Sequence, residues 1–176
     1  EGYKKALKTA EQLLAINGED LAALQGKAIA LARLDRHEDA LAAASTCLAV
    51  DPLHFQVQVV ALQMKHQLGH PTQNLIDHAD QLRNEHPQDP RFELLQAIAC
   101  GLAEEHDQSV RWLRAAASRT VPDEAFTATL VRFLDEAQLF TESLAVLSRN
   151  SVKHGQSGLY GEAARRLFEA ERFEDA

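Results

Sequence analysis

A small or apolar residue returns to the same helical position about every 34 residues along this chain, and no other feature restricts the fold as much. Ala6, Ala40, Leu75, Ser109, Ser143 and Ala176 are separated by 34, 35, 34, 34 and 33 positions. Ala10, Ala44, Ala79, Leu113 and Leu147 repeat the step four residues on, one turn along the same helix face. Helix stops follow the same interval. Gly18, Pro52 and Pro87 are succeeded one period later by Val121, beside Pro122, and then by Gly155. Pro cannot continue a helix, and Gly suits the left-handed residue after one. Weaker breaks at Leu34-Asp35-Arg36, Gly69-His70-Pro71 and Glu105-His106-Asp107 divide each segment into two stretches of about a dozen residues. Inside those stretches apolar and small residues recur at three and four, and few segments alternate with a period of two, so the sequence predicts helix throughout. Two-helix units repeated at a fixed interval bury their apolar faces by stacking on one another. The expectation is a solenoid of helical hairpins.

Composition narrows the partners. The chain has 176 residues, 18 Lys plus Arg against 26 Asp plus Glu, and a net charge of -8. That balance argues against a general binder of phosphate backbones, so nucleic acid is not an expected partner. With 45% hydrophobic and 25% charged residues it reads as globular and soluble. No run approaches the ~20 apolar residues of a membrane span, and direct membrane insertion is not expected. Cys47 and Cys100 lie far apart inside apolar helical patterns and read as buried thiols, which tilts toward a reducing, cytoplasmic setting. The chain opens on Glu1-Gly2-Tyr3 without an initiator Met, so a removed leader, and with it a periplasmic setting, stays compatible.

The repeat resembles the tetratricopeptide-repeat (TPR) family, whose unit is a helix-turn-helix of about 34 residues with small residues where helices cross. The best match runs from Leu21 to His54. There Leu24, Lys27, Ala28 and Leu31 stand in the family's aromatic, Leu, Gly and Tyr places, and Ala40, Ala44 and Pro52 in its Ala, Phe and Pro places. Tyr160, Ala163, Ala164 and Leu167 match again near the end. Tyr3, Phe140 and Phe173 fill the aromatic place that opens the second helix, where His37 and His106 substitute for it. Phe55 to Pro87 is degenerate: Leu62 or Gln63 replaces the small crossing residue, and an extra residue near His70-Pro71 makes the one 35-residue step. The resemblance implies an all-α, right-handed α-α superhelix. Its units would be a partial repeat 1–18, repeats at about 19–52, 53–87, 88–121 and 122–155, and a partial repeat 156–176. A chain that starts on a second helix, with Tyr3, Ala6, Ala10 and Leu13 as an apolar stripe, is expected to be a segment of a longer protein. A 35-residue RNA-binding repeat is nearest in length, but the acid excess and the small-residue pattern disfavour it.

Catalytic signatures are absent from the sequence, so no enzyme, cofactor or metal is expected. No Gly-rich loop follows a strand, and neither Gly-x-Ser-x-Gly nor His-Glu-x-x-His occurs. His66, His70 and His78 form the tightest histidine group, but Gly69 and Pro71 bracket His70 in a turn and no acidic neighbour completes a metal site. His106, between Glu104-Glu105 and Asp107, reads as a solvated corner, and Trp112 as packing.

In the resembled family the first helices line a concave groove that holds an extended or helical segment of another protein. Alignment then implies groove positions at Gln25, Ile29 and Arg33, at Val59, Gln63 and His66, at Leu94, Ile98 and Leu102, and at Arg132, Glu136, Arg165 and Phe168. The apolar middle of that set is costly to expose and is expected to be covered by a partner segment. Places where chaperone-binding relatives carry a cationic clamp hold Gln25, Gly26, Ile29, Gln56 and Val60, so binding of chaperone tails is not expected. The implied function is a non-enzymatic protein-interaction scaffold. The alternative is a docking or regulatory segment of a larger enzyme or export assembly.

Overall fold

The computed structural model describes residues 1–120 and 123–154, with side chains up to Arg149. Among the described residues the chain forms nine helices and no strand. They are α1 (Gly2–Ile16), α2 (Leu21–Ala32), α3 (His37–Val50), α4 (Phe55–Gln67), α5 (Thr72–Glu85), α6 (Pro90–Leu102), α7 (His106–Ser118), α8 (Glu124–Glu136) and α9 (Phe140–His154). First helices therefore begin at 21, 55, 90 and 124, and second helices at 37, 72, 106 and 140. Both sets advance by 34 or 35.

The tight turns inside the hairpins are built alike. Asp35, Gly69, Glu104 and Gln138 take left-handed backbone at φ 58°, 75°, 62° and 59°. The N–H of the following residue then reaches back five positions: Arg36 to Leu31, His70 to Lys65, Glu105 to Cys100 and Leu139 to Leu134, at 2.8 to 3.1 Å. This double closure satisfies carbonyls that the helix end would leave open. The turn after α4 also contains Pro71, which places the extra residue before Thr72. His106 opens α7 rather than occupying the turn, which lies at Ala103 to Glu105. First helices are capped by aspartates. Asp20, Asp89 and Asp123 accept the N–H of Ala23, Arg91 and Phe126 at 2.8, 3.0 and 2.7 Å, while His54 stands in the corresponding place of α4.

First and second helices differ in their surroundings. α4 and α6 lie between neighbours on several sides and are buried around most of their circumference, whereas α5 and α7 keep one buried stripe. The buried side chains form two clusters that meet on α4. Val57, Val60, Ala61 and Met64 join the cluster of α1 to α3, while Phe55, Val59 and Leu62 join that of α5 to α9. At the repeated crossing positions Ala40, Ala44, Leu75, Ala79, Leu113, Ser143 and Leu147 are buried and Ser109 is half-buried. On α1, Leu7 and Ala10 are buried against α2, and Tyr3, Ala6 and Leu13 stay exposed.

Candidate functional site

Helical spacing puts Gln25, Ile29 and Arg33 on one face of α2, and Val59, Gln63 and His66 on one face of α4. These faces meet. Gln25 donates a side-chain hydrogen bond to Gln56, which locks α2 to α4 where the groove begins. Beyond it, Ile29, Arg33, Val59, Gln63 and Arg132 line one cavity of about 370 Å³, together with Phe55, Gln56, Met64 and Thr129. Its floor is aliphatic and its walls carry two guanidinium groups and two amides, with no carboxylate in the lining. Arg132 bonds Glu136 at 3.0 Å and lies over the Phe133 ring at 4.3 Å.

A second cavity of about 300 Å³ adjoins the first at Phe55 and Gln56, and Asp51, His54, Arg91, Asp123 and Phe126 help to line it. The Arg91 guanidinium forks onto both oxygens of Asp89 at 2.5 to 2.9 Å. Burial works against the Asp89 charge, but the Arg91 hydrogen bonds win and hold its pKa below the usual carboxylate value. Arg91 is raised in turn, first by its bond to Asp89, with the charges of Asp123 and Asp51 adding to the effect.

The apolar middle foreseen from the sequence is not open. Leu94 is 0% exposed and Ile98 4%, in one cluster with Phe126, Leu130 and Leu134 of α8. α6 packs on α5, α7 and α4, which uses its inner face; α8 reaches the same cluster, where Phe126 meets Phe55 edge-on with ring centroids 5.5 Å apart. Leu102 and His66 are half-buried and do not line either cavity, and Glu136 is exposed beside Arg132. Arg165 and Phe168 lie outside the described residues.

No family model matches the chain, and no curated protein matches it. Solved structures do match. A thermophilic TPR protein of Thermus thermophilus superposes with a TM-score of 0.59 at 18% identity, over 94% of this chain and 91% of that one. A tetratricopeptide repeat protein from Parabacteroides merdae gives 0.54 at 18% identity, over 97% and 68%. The chain has the TPR fold. MamA from Desulfovibrio magneticus gives 0.50 at 16% identity, over 88% of each chain.

In TPR terms, the aligned positions that line the first cavity are Ile29 and Arg33 on α2, Val59 and Gln63 on α4 and Arg132 on α8, and further residues of α4, α8 and the inter-repeat loops join them. Thr129, Phe55 and Gln56 were absent from the groove set, as were Asp51, Arg91 and Asp123. A signal for the last group was present: the capping places Asp20, His54, Asp89 and Asp123 step by 34, 35 and 34 and put a polar side chain at the same end of every described first helix. Elsewhere the chemistry is quiet. Burial pushes the Cys47 thiol up, with Asp51 adding to it, and burial likewise raises Cys100, so both stay protonated near neutral pH. The two form no disulfide. His78 bonds Gln58 at 2.9 Å, apart from His70 in its turn. Among the described residues no group of three metal-ligating side chains forms, and no helix is long and apolar enough to cross a membrane. Trp112 packs against the larger core cluster with Arg83 stacked on it at 4.6 Å.

Proposed function

We propose that this TPR solenoid is a non-enzymatic interaction scaffold that holds a segment of a partner protein in the groove between α2, α4 and α8. The supporting observation is the 370 Å³ cavity, where partly buried Ile29 and the buried Val59 and Met64 make an aliphatic floor beneath Arg33, Gln63 and Arg132. Apolar surface rimmed by polar groups suits a side chain inserted from another polypeptide. Groove binding in this position engages Ile29, Arg33, Val59, Gln63 and Arg132, with Gln25 fixing the first wall; Leu94 and Ile98 are buried in the cluster that Val59 joins. A photo-crosslinking residue at Gln63 is expected to capture a partner from the native host extract that the same residue at exposed Ser45, on α3, does not. Equal capture from both positions, or none from Gln63, overturns the groove reading.

A further inference from the structure

The two cavities that meet at Phe55 and Gln56 have opposite electrical character. We propose that together they read a partner-protein segment carrying an apolar side chain, with a carboxylate on one side of it and a Lys or Arg on the other. This inference rests on the scaffold reading and specifies the chemistry of its ligand.

In the cavity between α2, α4 and α8, both charged lining residues are cations, Arg33 and Arg132, although the chain as a whole carries a net charge of -8. Such a local reversal is a specific attraction for an anion. Arg33 is exposed and makes no ion pair among the described residues. Arg132 has Glu136, but both side chains are half exposed, at 50% and 56%, and an ion pair in water has little net strength. An incoming carboxylate held by both guanidinium groups displaces Glu136 from it. Between the two cations, Ile29, Val59 and Met64 offer the apolar side chain its seat.

Past Phe55 the sign changes. Asp51 and Asp123 line the second cavity, and its one arginine, Arg91, is already engaged by both oxygens of Asp89. Three carboxylates around one guanidinium leave an excess of negative charge. Each of the two outer aspartates uses one oxygen locally: Oδ1 of Asp51 accepts the Leu53 N–H at 3.1 Å, and Oδ1 of Asp123 accepts the Phe126 N–H at 2.7 Å. Acceptor capacity remains on Oδ2 of both. A Lys or Arg of the ligand completes this end. The opposed ends also fix the direction in which a segment lies, because the reversed orientation sets like charges together at both cavities.

A displayed library of random short peptides, selected in parallel on the full chain, on Arg33→Gln/Arg132→Gln and on Asp51→Asn/Asp123→Asn, tests this. Asn keeps the turn and cap acceptors, so the second variant retains its fold, and circular dichroism of both variants checks that. The unsubstituted chain is expected to enrich peptides with acidic, apolar and basic residues in one order. The arginine variant is expected to lose the acidic requirement and to bind those peptides about tenfold more weakly. The aspartate variant is expected to lose the basic requirement, and Glu136→Gln to tighten binding. Peptides recovered without charge order, or bound equally by both variants, overturn the inference and leave the groove reading standing. Recovery of no peptide, with no capture from Gln63, defeats both.

Discussion

At the residue scale, the polar groups inside the solenoid are held by pairs whose partners can be removed one at a time. Gln58 is buried, and its amide donates to the Pro52 carbonyl at 2.7 Å, which turns its oxygen toward His78 Nε2 at 2.9 Å. That oxygen only accepts, so His78 carries its proton on Nε2 and needs none on Nδ1. Burial, with the charge of Lys65 behind it, lowers the His78 pKa below 6.5 despite the opposing pull of Glu85. The unfolded chain thus binds the second proton more readily than the folded one. Stability from this site is complete above pH 6.5 and falls as the pH drops below it. A histidine titration by NMR is expected to place His78 below 6.5, and His78→Gln to flatten the melting temperature between pH 6.5 and 5. Glu93 gives a second case. It is 6% exposed, takes Arg119 at 2.6 Å on one oxygen, and has no partner on the other. Arg119→Ala is expected to cost about 3 kcal/mol, because it strands a buried carboxylate, and Glu93→Leu/Arg119→Ala to recover most of that loss. Urea unfolding of the three proteins measures both numbers.

At the element scale, the four hairpin turns share one geometry but not one residue type. Only Gly69 suits its left-handed backbone without cost, and a Cβ there would meet nothing within 4 Å, so any penalty for filling it is conformational. For Glu104 and Gln138 the left-handed conformation costs ~1–2 kcal/mol, against ~0.4–1 kcal/mol of extra unfolded-state entropy for glycine. Glu104→Gly and Gln138→Gly are therefore expected to stabilise by about 0.5–1 kcal/mol each. Asp35→Gly should gain less, since aspartate tolerates this region better, and Gly69→Ala should destabilise; thermal unfolding ranks all four. The same substitution pattern explains how the elements could be read. Gly18, Pro52 and Pro87 mark the loops between hairpins by chemistry that acts locally, so helix existence and period were legible. The turns inside the hairpins were faint because three of four carry ordinary side chains, which is why His106 was placed in a turn it actually follows. Leu94 and Ile98 were misplaced for a different reason. Their helix and face follow from spacing, but their burial belongs to a cluster that joins several hairpins, with Phe126 reaching Phe55 two repeats back. No local pattern encodes that distance.

At the scale of the whole molecule, the two buried clusters share a single helix, and this predicts how damage spreads. Stacked repeats are stabilised by their neighbours, so a defect should loosen its own cluster first. Leu31 is fully buried in the cluster of α1 to α3, and Leu130 in that of α5 to α9. Leu31→Ala is expected to cost about 2–5 kcal/mol and to speed amide exchange through α1, α2 and α3 while α7 and α8 keep their protection. Leu130→Ala should do the reverse. α4 stands between them with Val57 buried toward one cluster and Leu62 toward the other, so Leu62→Ala, in the shared helix, should raise exchange on both sides. Hydrogen exchange read by mass spectrometry separates this from a single cooperative core, in which all three substitutions would accelerate every helix alike. The distinction bears on the groove, because its cavity takes Ile29 from one cluster's edge and Thr129 from the other's helix, with α4 as its floor. If the halves open separately, loosening either one moves one wall of the cavity against the other. Leu31→Ala and Leu130→Ala should then each weaken peptide binding without any substitution in the lining itself.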